Sequence, residues 1–299
     1  MELISECPLC NCIQFTAWRY TPDDFLTKTG RYTLMQCENC SLVFTNPRPN
    51  EDNMALYYPS VEYISHTSSG SSFKDKLYFA VQKYMLYRKH RLIQKLNLPD
   101  KKLLDFGSGA GAFLEYMKQK GYEVVGFEPS VSASLKTANK DIPVFNSIND
   151  LTQSSISSFN CITLWHVLEH SHKPLHTIRY LFDKLQPGGF AIVAVPLHDS
   201  FDGRFYGDRW AAYDVPRHLL HFDPNSLIRA FEKCGFTIRK VYPMPFDSYY
   251  ISMMSEPKNL SFMGLYRAFF VASFSNISAF LGRTVWSSQI FIFQKPNCI

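Results

Sequence analysis

Short apolar runs alternate with amphipathic stretches from residue 101 onward, and this alternation predicts strands and helices in turn. The runs that predict strands are Lys102–Phe106, Glu123–Phe127, Ile142–Phe145, Asn160–Trp165, Phe190–Val195, Thr237–Tyr242 and Gln289–Gln294. The stretches that predict helices are Ala112–Lys120, Leu175–Leu185 and Asn225–Cys234, and each ends near a glycine. Strands alternating with helices form parallel, doubly wound sheets. The expected fold class is therefore α/β, with a mostly parallel seven-stranded sheet.

Residues 51–100 form a predicted linker and helix. The Ser/Gly-rich stretch 65–72 is typical of a flexible segment. Over 77–96, apolar residues recur at spacings of three, four or seven, which predicts an amphipathic helix. The chain is therefore expected to comprise an N-terminal domain 1–50, this linker, and a domain 101–299 that contains the sheet.

The third region carries an insertion at about 246–286, before its last predicted strand. Segments of that length are more often a lid, a substrate wall or a dimer surface than a plain turn. Its charge-free apolar stretch, Ala268–Gly282, is shorter than the roughly 20 residues that cross a bilayer. We expect a buried helix there, with a shallow contact at a membrane surface as the alternative.

A glycine-rich turn follows the first predicted strand of the sheet and opens a helix. The strand and turn contribute Asp105, Gly107, Ser108, Gly109 and Gly111. Glycines permit positive φ and let a ligand approach the backbone. The N-terminus of the helix offers free N–H groups and the positive end of its dipole. Glu128 ends the next strand, where it could accept hydrogen bonds from both hydroxyls of a ribose.

The turn alone fits more than one role. Gly107–Ala112 satisfies the dinucleotide pattern G-x-G-x-x-G/A. A pyrophosphate would be repelled by the Asp105 carboxylate, whereas the ammonium group of S-adenosylmethionine (SAM) would be attracted to it. The turn therefore favours SAM over NAD. A turn that only packs a helix closely against a strand is the third interpretation.

Four segments in order carry a family resemblance. Leu103–Leu114 resembles motif I of the class I SAM-dependent methyltransferases, and Gly126–Ser130, Leu164–His170 and Leu185–Gly189 resemble their later motifs. The resemblance covers about 100–245 and implies a Rossmann-like SAM-binding domain that transfers methyl groups.

The resemblance also implies which residues hold the cofactor. They are Asp105, Gly107, Ser108, Gly109, Gly111 and Glu128 around the methionine and ribose, Asn146 and Ser147 near the adenine, and Trp165 and His166 along the cofactor. His170 is expected either to contact the cofactor or to pack near a helix N-terminus.

Two C-x-x-C pairs lie near the N-terminus, with 26 residues between them. They contribute Cys7, Cys10, Cys37 and Cys40. Four thiolates on paired turns predict a closed, structural Zn²⁺ site in a zinc-ribbon-like domain, with disulfides or a site that has lost its metal as alternatives. Cys12 is a further candidate ligand with a less regular spacing.

The ribbon is followed by Asn46-Pro47-Arg48-Pro49. Ribbon, this run and the later domain together resemble a bacterial subgroup that includes deoxysugar C-methyltransferases and proteins linked to surface polysaccharide or secondary metabolism. This resemblance implies a small hydroxylated acceptor, such as a nucleotide-linked sugar or a polysaccharide or secondary-metabolite precursor.

A segment rich in proton-transferring side chains, Arg209–Phe222, follows the fifth predicted strand. Ligands of open α/β sheets lie beyond the carboxyl ends of the strands. Methyl transfer needs in-line positioning and often a base, for which a histidine is suited. We expect His218 to be the base, with His221, Tyr213 and Asp214 as positioning or alternative groups. A purely structural role stays open for each histidine.

Charge and termini bear on partners and location. The net charge is +5, but residues 1–50 carry five acidic and four basic side chains, so a basic footprint for nucleic acid is not expected there. The start of the chain lacks the pattern of a signal peptide, which predicts a cytoplasmic protein without a transmembrane segment. Oligomeric state stays open, with a dimer as one option.

Two other functions compete with a small-molecule methyltransferase. The first is a cofactor-binding assembly module without turnover, against which the histidine segment speaks. The second is an RNA methyltransferase that uses the ribbon for recognition, against which the thinly spread charge speaks.

Overall fold

A computed structural model provides the structure of the chain. It describes residues 1–23, 30–58, 73–138, 140–154, 156, 158–257 and 261–297. The predicted Ser/Gly stretch at 65–72 lies outside the described residues.

The chain contains both strands and helices throughout the described ranges. The strands are β1 (Phe15–Pro22), β2 (Arg31–Cys37), β3 (Val43–Thr45), β4 (Lys102–Phe106), β5 (Glu123–Phe127), β6 (Val144–Phe145), β7 (Phe159–Trp165), β8 (Leu185–Pro196), β9 (Leu220–His221), β10 (Thr237–Pro243) and β11 (Ser288–Gln294). The α-helices are α1 (Phe73–Gln94), α2 (Ala112–Gln119), α3 (Val131–Ala138), α4 (Ile148–Gln153), α5 (Pro174–Lys184), α6 (Phe201–Tyr206), α7 (Pro224–Lys233), α8 (Pro245–Ser255) and α9 (Phe262–Phe280). Short 3₁₀ turns occupy Glu51–Tyr57, Leu168–His170, Gly207–Arg209 and Ala211–Tyr213.

Seven strands form one sheet in the order β10-β11-β8-β7-β4-β5-β6. β4 pairs in parallel with β5 and β7, and β5 with β6, whereas β10 and β11 are antiparallel. The mostly parallel seven-stranded α/β fold is therefore confirmed. The strand order reverses between β4 and β7, and in open sheets the crevice at such a reversal is where ligands bind.

Strand β8 is longer than the sequence predicts. The sequence predicts that this strand begins at Phe190, but β8 begins directly after α5, at Leu185. Gly188 has a positive φ of 78°, and both glycines pair with the chain after β11. Gly188 N–H donates to the Lys295 carbonyl at 3.0 Å, and Lys295 N–H donates to the Gly189 carbonyl at 2.9 Å.

The chain divides into two compact units. The first, here called the ribbon unit, comprises Met1–Tyr58, Trp165–Phe182 and Ile192–Gln294. The second, the turn unit, comprises the described residues between Pro59 and Leu164, those of Asp183–Ala191 and those after Lys295. The domain boundaries expected at residues 50 and 100 stay a prediction.

Within the ribbon unit, a four-stranded sheet has the order β1-β2-β3-β9. Its last pair joins Val43 to His221 and Phe44 to Leu220, so the histidine segment itself supplies the final strand. The apolar side chains of Leu34, Val43 and Tyr213 pack together in the buried cluster beside it. The ribbon therefore fixes the backbone of the segment expected to contact the acceptor.

The insertion before β11 folds into the helices α8 and α9. The expected buried helix at Ala268–Gly282 is wrong for the large side chains of α9, because Phe269, Phe270 and Phe274 are exposed. Its buried face carries small residues, which let the helix approach its neighbours closely. Within the described part of the chain, no helix has the length and apolarity needed to cross a membrane.

Candidate functional site

Three glycines give the turn after β4 its shape. Gly107, Gly109 and Gly111 have φ of 84°, 54° and 74°, in the left-handed region that glycine adopts readily. A Cβ on Gly111 would also lie 2.4 Å from Cγ2 of Thr137. A side chain at Gly111 would therefore strain the backbone and clash with α3.

The N–H groups of this turn are already hydrogen-bonded. Gly107 and Ser108 donate to the Phe127 carbonyl at 2.7 and 3.0 Å, Gly109 donates to Oε2 of Glu128 at 2.8 Å, and Gly111 donates to the Ser108 carbonyl at 3.0 Å. A pyrophosphate at this turn would need those donors and would meet the carboxylate of Glu128. The turn is thus poorly suited to a dinucleotide.

Asp105 lies at the carboxyl end of β4 and is almost fully buried. Its Oδ1 accepts a hydrogen bond from Thr163 Oγ1 at 2.6 Å. Burial raises the pKa of Asp105 to about 7, against the opposing hydrogen bond from Thr163. A buried carboxylate of this kind is stabilised by a bound cation, which would return its pKa toward the ordinary range.

Glu128 connects the turn to the end of β5. Besides the Gly109 N–H, its carboxylate accepts the N–H of Ser130 at 2.9 Å. Asn146 lies beside it and donates from Nδ2 to the Glu128 carbonyl at 2.7 Å. Ser147 instead caps α4 by accepting the N–H of Asn149 at 3.1 Å. The structure therefore brings Asn146 to Glu128 and ties Ser147 to a helix terminus.

In the ribbon unit, His166 follows Trp165 at the end of β7 and adopts a positive φ of 56°. Its Nε2 lies 3.1 Å from Oδ2 of Asp247, and its Nδ1 lies 3.4 Å from Oε1 of Glu169. Burial opposes protonation of His166, but the two carboxylates outweigh it and raise the pKa to about 10. The two carboxylates therefore favour the protonated form of His166.

Glu169, His170 and His218 form a second cluster around one buried carboxylate. Glu169 is fully buried, and although burial works against its ionisation, the neighbouring histidines hold its pKa below the usual value. Each of the three residues offers a ligand atom, and these atoms lie within 4.8 Å of one another. Such a group can exchange a proton with a ligand or hold a divalent cation.

Both histidines of this cluster use Nδ1 for their hydrogen bonds. His170 uses Nδ1, which lies 2.9 Å from Tyr58 Oη and 3.0 Å from the Arg217 carbonyl. Burial, with help from the charge of His218, lowers the pKa of His170 to about 4. His218 uses Nδ1 at 2.8 Å from the Ala212 carbonyl, an acceptor. That contact requires a proton on Nδ1, so Nε2 of neutral His218 carries the lone pair.

The other residues expected to be catalytic are engaged in structural contacts. His221 pairs its Nε2 with Thr45 Oγ1 at 3.0 Å, and burial lowers its pKa well below the usual value. Tyr213 is buried against Trp210, and burial raises its pKa. Asp214 accepts hydrogen bonds from Nε of the buried Arg217 at 2.9 and 3.0 Å.

The four paired cysteines converge on one point in the ribbon unit. Sγ of Cys7 lies 3.5 Å from Sγ of Cys40, and Sγ of Cys10 lies 3.5 Å from Sγ of Cys37. These separations are too long for disulfides, in which the sulfurs are about 2.05 Å apart, and they suit the edges of a tetrahedral thiolate site. Cys12 lies outside the cluster and exchanges hydrogen bonds with Gln14.

A family model described as a methyltransferase domain matches residues 80–241, which include the glycine turn, Glu128 and the histidine segment. That match covers more than half of the 299 residues. The chain belongs to this methyltransferase family.

Curated relatives match a shorter stretch of the chain. A ubiquinone biosynthesis O-methyltransferase from Pseudomonas fluorescens (strain SBW25) is 32% identical over 103 residues, which are 32% of this chain and 44% of the relative. One from Xanthomonas campestris pv. campestris (strain B100) is 30% identical over 102 residues, 32% of this chain and 43% of the relative. The chain thus spans less than half the length of these relatives.

Solved structures share the fold of the chain at low identity. A candidate sarcosine dimethylglycine methyltransferase from Galdieria sulphuraria superimposes with a TM-score of 0.52 and 12% identity, covering 72% of this chain and 85% of the other. The [4+2]-cyclase SpnF superimposes with a TM-score of 0.50 and 16% identity, covering 71% and 81%. Because one neighbour is named a cyclase, this fold alone does not fix the reaction.

Three residues that the sequence analysis did not single out are central to the candidate sites of the ribbon unit. They are Glu169 in the histidine cluster, Asp247 beside His166, and the buried Arg217, whose Nη2 lies 3.6 Å from Asp23. Glu169 follows the apolar residues Val167 and Leu168 and precedes His170, and this context is a detectable signal for a buried acid. Asp247 and Asp23 lie far from their partners along the chain and carry no such signal.

Proposed function

We propose that this protein is a SAM-dependent methyltransferase that acts on a small hydroxylated acceptor. The observation that carries the proposal is the glycine turn with its two carboxylates. Glu128 accepts the N–H of Gly109, and the carboxylate of Asp105 is buried where a bound cation would stabilise it. SAM offers an ammonium group to Asp105 and ribose hydroxyls to Glu128, whereas a dinucleotide would place its negatively charged pyrophosphate beside these two carboxylates.

In this proposal, SAM supplies an activated methyl group on its sulfonium sulfur. The turn unit holds the donor: Asp105 pairs with the ammonium, Glu128 accepts from the ribose, and Asn146 keeps Glu128 in place. Methyl transfer then requires the acceptor atom in line with the carbon–sulfur bond. Positioning supplies most of the rate enhancement, and removal of one proton completes the reaction.

We assign that proton to His218. Nδ1 of His218 is hydrogen-bonded to the Ala212 carbonyl, so Nε2 is the nitrogen that would accept a proton. The proton would leave the acceptor hydroxyl while the hydroxyl oxygen bonds to the methyl carbon and the carbon–sulfur bond breaks. Asp214 is a positioning residue, because its Oδ2 lies 3.9 Å from that nitrogen. His221 and Tyr213 support the segment through packing.

The acceptor is proposed to be hydroxylated for two reasons. The curated relatives are named O-methyltransferases, which favours oxygen as the methylated atom. A cavity of about 660 Å³ in the ribbon unit borders Asp214, with Arg209, Tyr213 and Met253 in its wall. Mixed polar and apolar walls of this size suit a sugar or a hydroxylated ring. A nucleotide-linked sugar and a polysaccharide or secondary-metabolite precursor both fit this description.

Calorimetry with SAM and with NAD tests the cofactor assignment. We expect SAM to bind and NAD not to bind. Because Asp105 must be ionised to pair with the ammonium and its pKa is about 7, SAM affinity should fall as the pH drops from 7 to 5, by up to about tenfold per pH unit. Asp105→Asn should bind weakly with no such slope. NAD binding without SAM binding would contradict the proposal.

Transfer of labelled methyl groups from SAM into a metabolite extract tests turnover. We expect a single labelled class of small hydroxylated product. SAM binding without any transfer to small molecules would overturn the proposed activity and favour a cofactor-binding module.

The cysteine cluster leads to a zinc prediction. Metal analysis of the purified chain should give one Zn²⁺ per protein, and Cys37→Ser should remove it. Zinc binding in ribbon-like peptides is worth about 10–16 kcal/mol, so the melting temperature should also fall clearly. Cys12→Ser is the matched control and should retain the metal, because Cys12 lies outside the cluster. A metal-free wild-type protein would contradict the zinc assignment.

A further inference from the structure

Helix α9 presents a continuous stripe of large apolar side chains to solvent. Met263, Tyr266, Phe270, Phe274 and Ile277 recur at spacings of three or four, and all are exposed. Isolated exposed apolar residues are normal, but contiguous ones mark an interaction surface. This stripe therefore needs an apolar partner.

The opposite stripe of α9 is small or polar. Gly264, Ala268, Val271, Ser275 and Ser278 are buried at the same spacings. Ser275 donates to Oδ1 of the buried Asp202 at 2.8 Å. The helix thus inverts the usual arrangement, in which the large apolar face is buried. Helices that contact lipid show this pattern, with small residues against protein and large ones toward the apolar medium.

Helix α8 extends the surface. Phe246, Tyr250 and Met253 are also exposed, and α8 packs on α9 through Tyr249, whose ring lies 5.6 Å from that of Phe269. The exposed apolar side chains of α8 and α9 are called the docking face below. Its two tyrosines suit the boundary between an apolar medium and water, where amphipathic rings concentrate.

Charge distinguishes between two apolar partners. Over the described part of 245–283, the exposed charged side chains are those of Arg267 and Arg283. The acids are withdrawn, because Asp247 contacts His166 and the buried Glu256 pairs with Arg267. A second copy of the chain seated on the same face would bring the two Arg283 side chains together, with no exposed acid in the described part of 245–283 to receive them. Anionic lipid headgroups provide the complementary charge.

We propose that α8 and α9 dock the protein on the surface of an anionic lipid bilayer. The aromatic side chains of the docking face enter the headgroup region, and Arg283 contacts the phosphates, whereas Arg267 keeps its ion pair with Glu256. The helices lie in the plane of the interface. This surface uses none of the residues proposed to hold the cofactor or to accept the proton, although one of its side chains, Met253, also lines the proposed acceptor cavity.

Vesicle flotation with the full chain tests the docking face. The probes are vesicles of phosphatidylcholine alone and of phosphatidylcholine mixed with phosphatidylglycerol. We expect the protein to float with the mixed vesicles and more weakly with the neutral ones. The variant Met263→Gln/Phe270→Gln/Ile277→Gln should lower partitioning at least about tenfold. These positions are 56–76% exposed, so the fold should tolerate the changes.

Two controls sharpen the test. Leu3→Gln/Ile13→Gln/Leu56→Gln removes three equally exposed apolar side chains outside α8 and α9 and should float like the wild type. Arg283→Gln should weaken binding to the mixed vesicles about fivefold and leave binding to neutral vesicles unchanged.

Several outcomes would overturn the proposal. One is the absence of flotation with either vesicle, and another is equal flotation of the wild type and the α9 variant. A dimer that dissociates in the α9 variant, without flotation of the wild type, would show that a second copy covers this face. The SAM dissociation constant is measured on the same preparations. It tests the cofactor proposal separately from lipid binding, and an unchanged value in the variants shows that they are folded.

Discussion

Replacing His218 with asparagine should lower kcat by between about a hundredfold and ten-thousandfold, the range spanned by loss of a general base. Asparagine keeps a donor that can reach the Ala212 carbonyl, which His218 Nδ1 contacts at 2.8 Å, but it has no basic nitrogen in place of Nε2. The KM for the acceptor and the dissociation constant for SAM should change little. Steady-state kinetics with the identified acceptor, together with calorimetry, would measure both.

Two controls separate a base from a structural or metal-binding histidine. His176→Asn changes an exposed histidine at the start of α5 and should leave kcat unchanged. The melting temperature of His218→Asn should stay close to that of the wild type. If the wild-type rate instead rose with added Mg²⁺ or Mn²⁺ and the variant lost that response, His218 would be a ligand in the Glu169–His170–His218 cluster, and its role as base would be disproved.

Replacing Glu128 with glutamine should weaken SAM binding about tenfold to a hundredfold. Hydrogen bonds to a charged group contribute about 1.5–3 kcal/mol, and the proposed ribose contact is of that kind. Glutamine preserves the volume and one acceptor oxygen, so the contacts to the N–H groups of Gly109 and Ser130 can partly persist. The loss should therefore appear in affinity rather than in folding, as measured by calorimetry and thermal melting.

The matched control for Glu128 is Glu115→Gln on α2. Glu115 forms a partly exposed ion pair with Lys140 at 2.6 Å, and exposed pairs contribute about 0–1 kcal/mol. SAM affinity should be unaffected by that change. An unchanged affinity in Glu128→Gln would remove the ribose role, although SAM could still bind through Asp105.

Much of the fold follows from local patterns. β4 and β5 begin and end where their apolar runs do, because strands buried on both faces are continuously apolar. β8 starts earlier than expected because Gly188 and Gly189 pair with the chain at Lys295, more than 100 residues away. Local sequence predicts a turn at Pro-Gly-Gly, and only pairing with the distant Lys295 adds these glycines to β8.

The site residues also divide into those that local sequence predicts and those that only tertiary contacts bring together. Asp105 and Glu128 are predictable, because Asp105 lies near the end of β4, Glu128 directly follows β5, and the carboxyl ends of parallel strands share one edge. The partners of His166 and Arg217 are not, since Asp247 and Asp23 reach them only through tertiary contacts. The orientation of α9 also escaped prediction, because composition reveals an apolar helix without revealing which side faces the protein.

The ribbon sheet has a consequence for the order in which the chain is assembled. Its final strand, β9, lies far downstream, and Thr45 and His221 are joined across 176 positions. Both cysteine pairs lie within the first 40 residues, so a nascent chain can bind zinc while most of it is still untranslated. Contacts of such long range form late in folding. On the proposed zinc assignment, the growing polypeptide would acquire its metal well before it acquires the histidine segment that pairs with the ribbon.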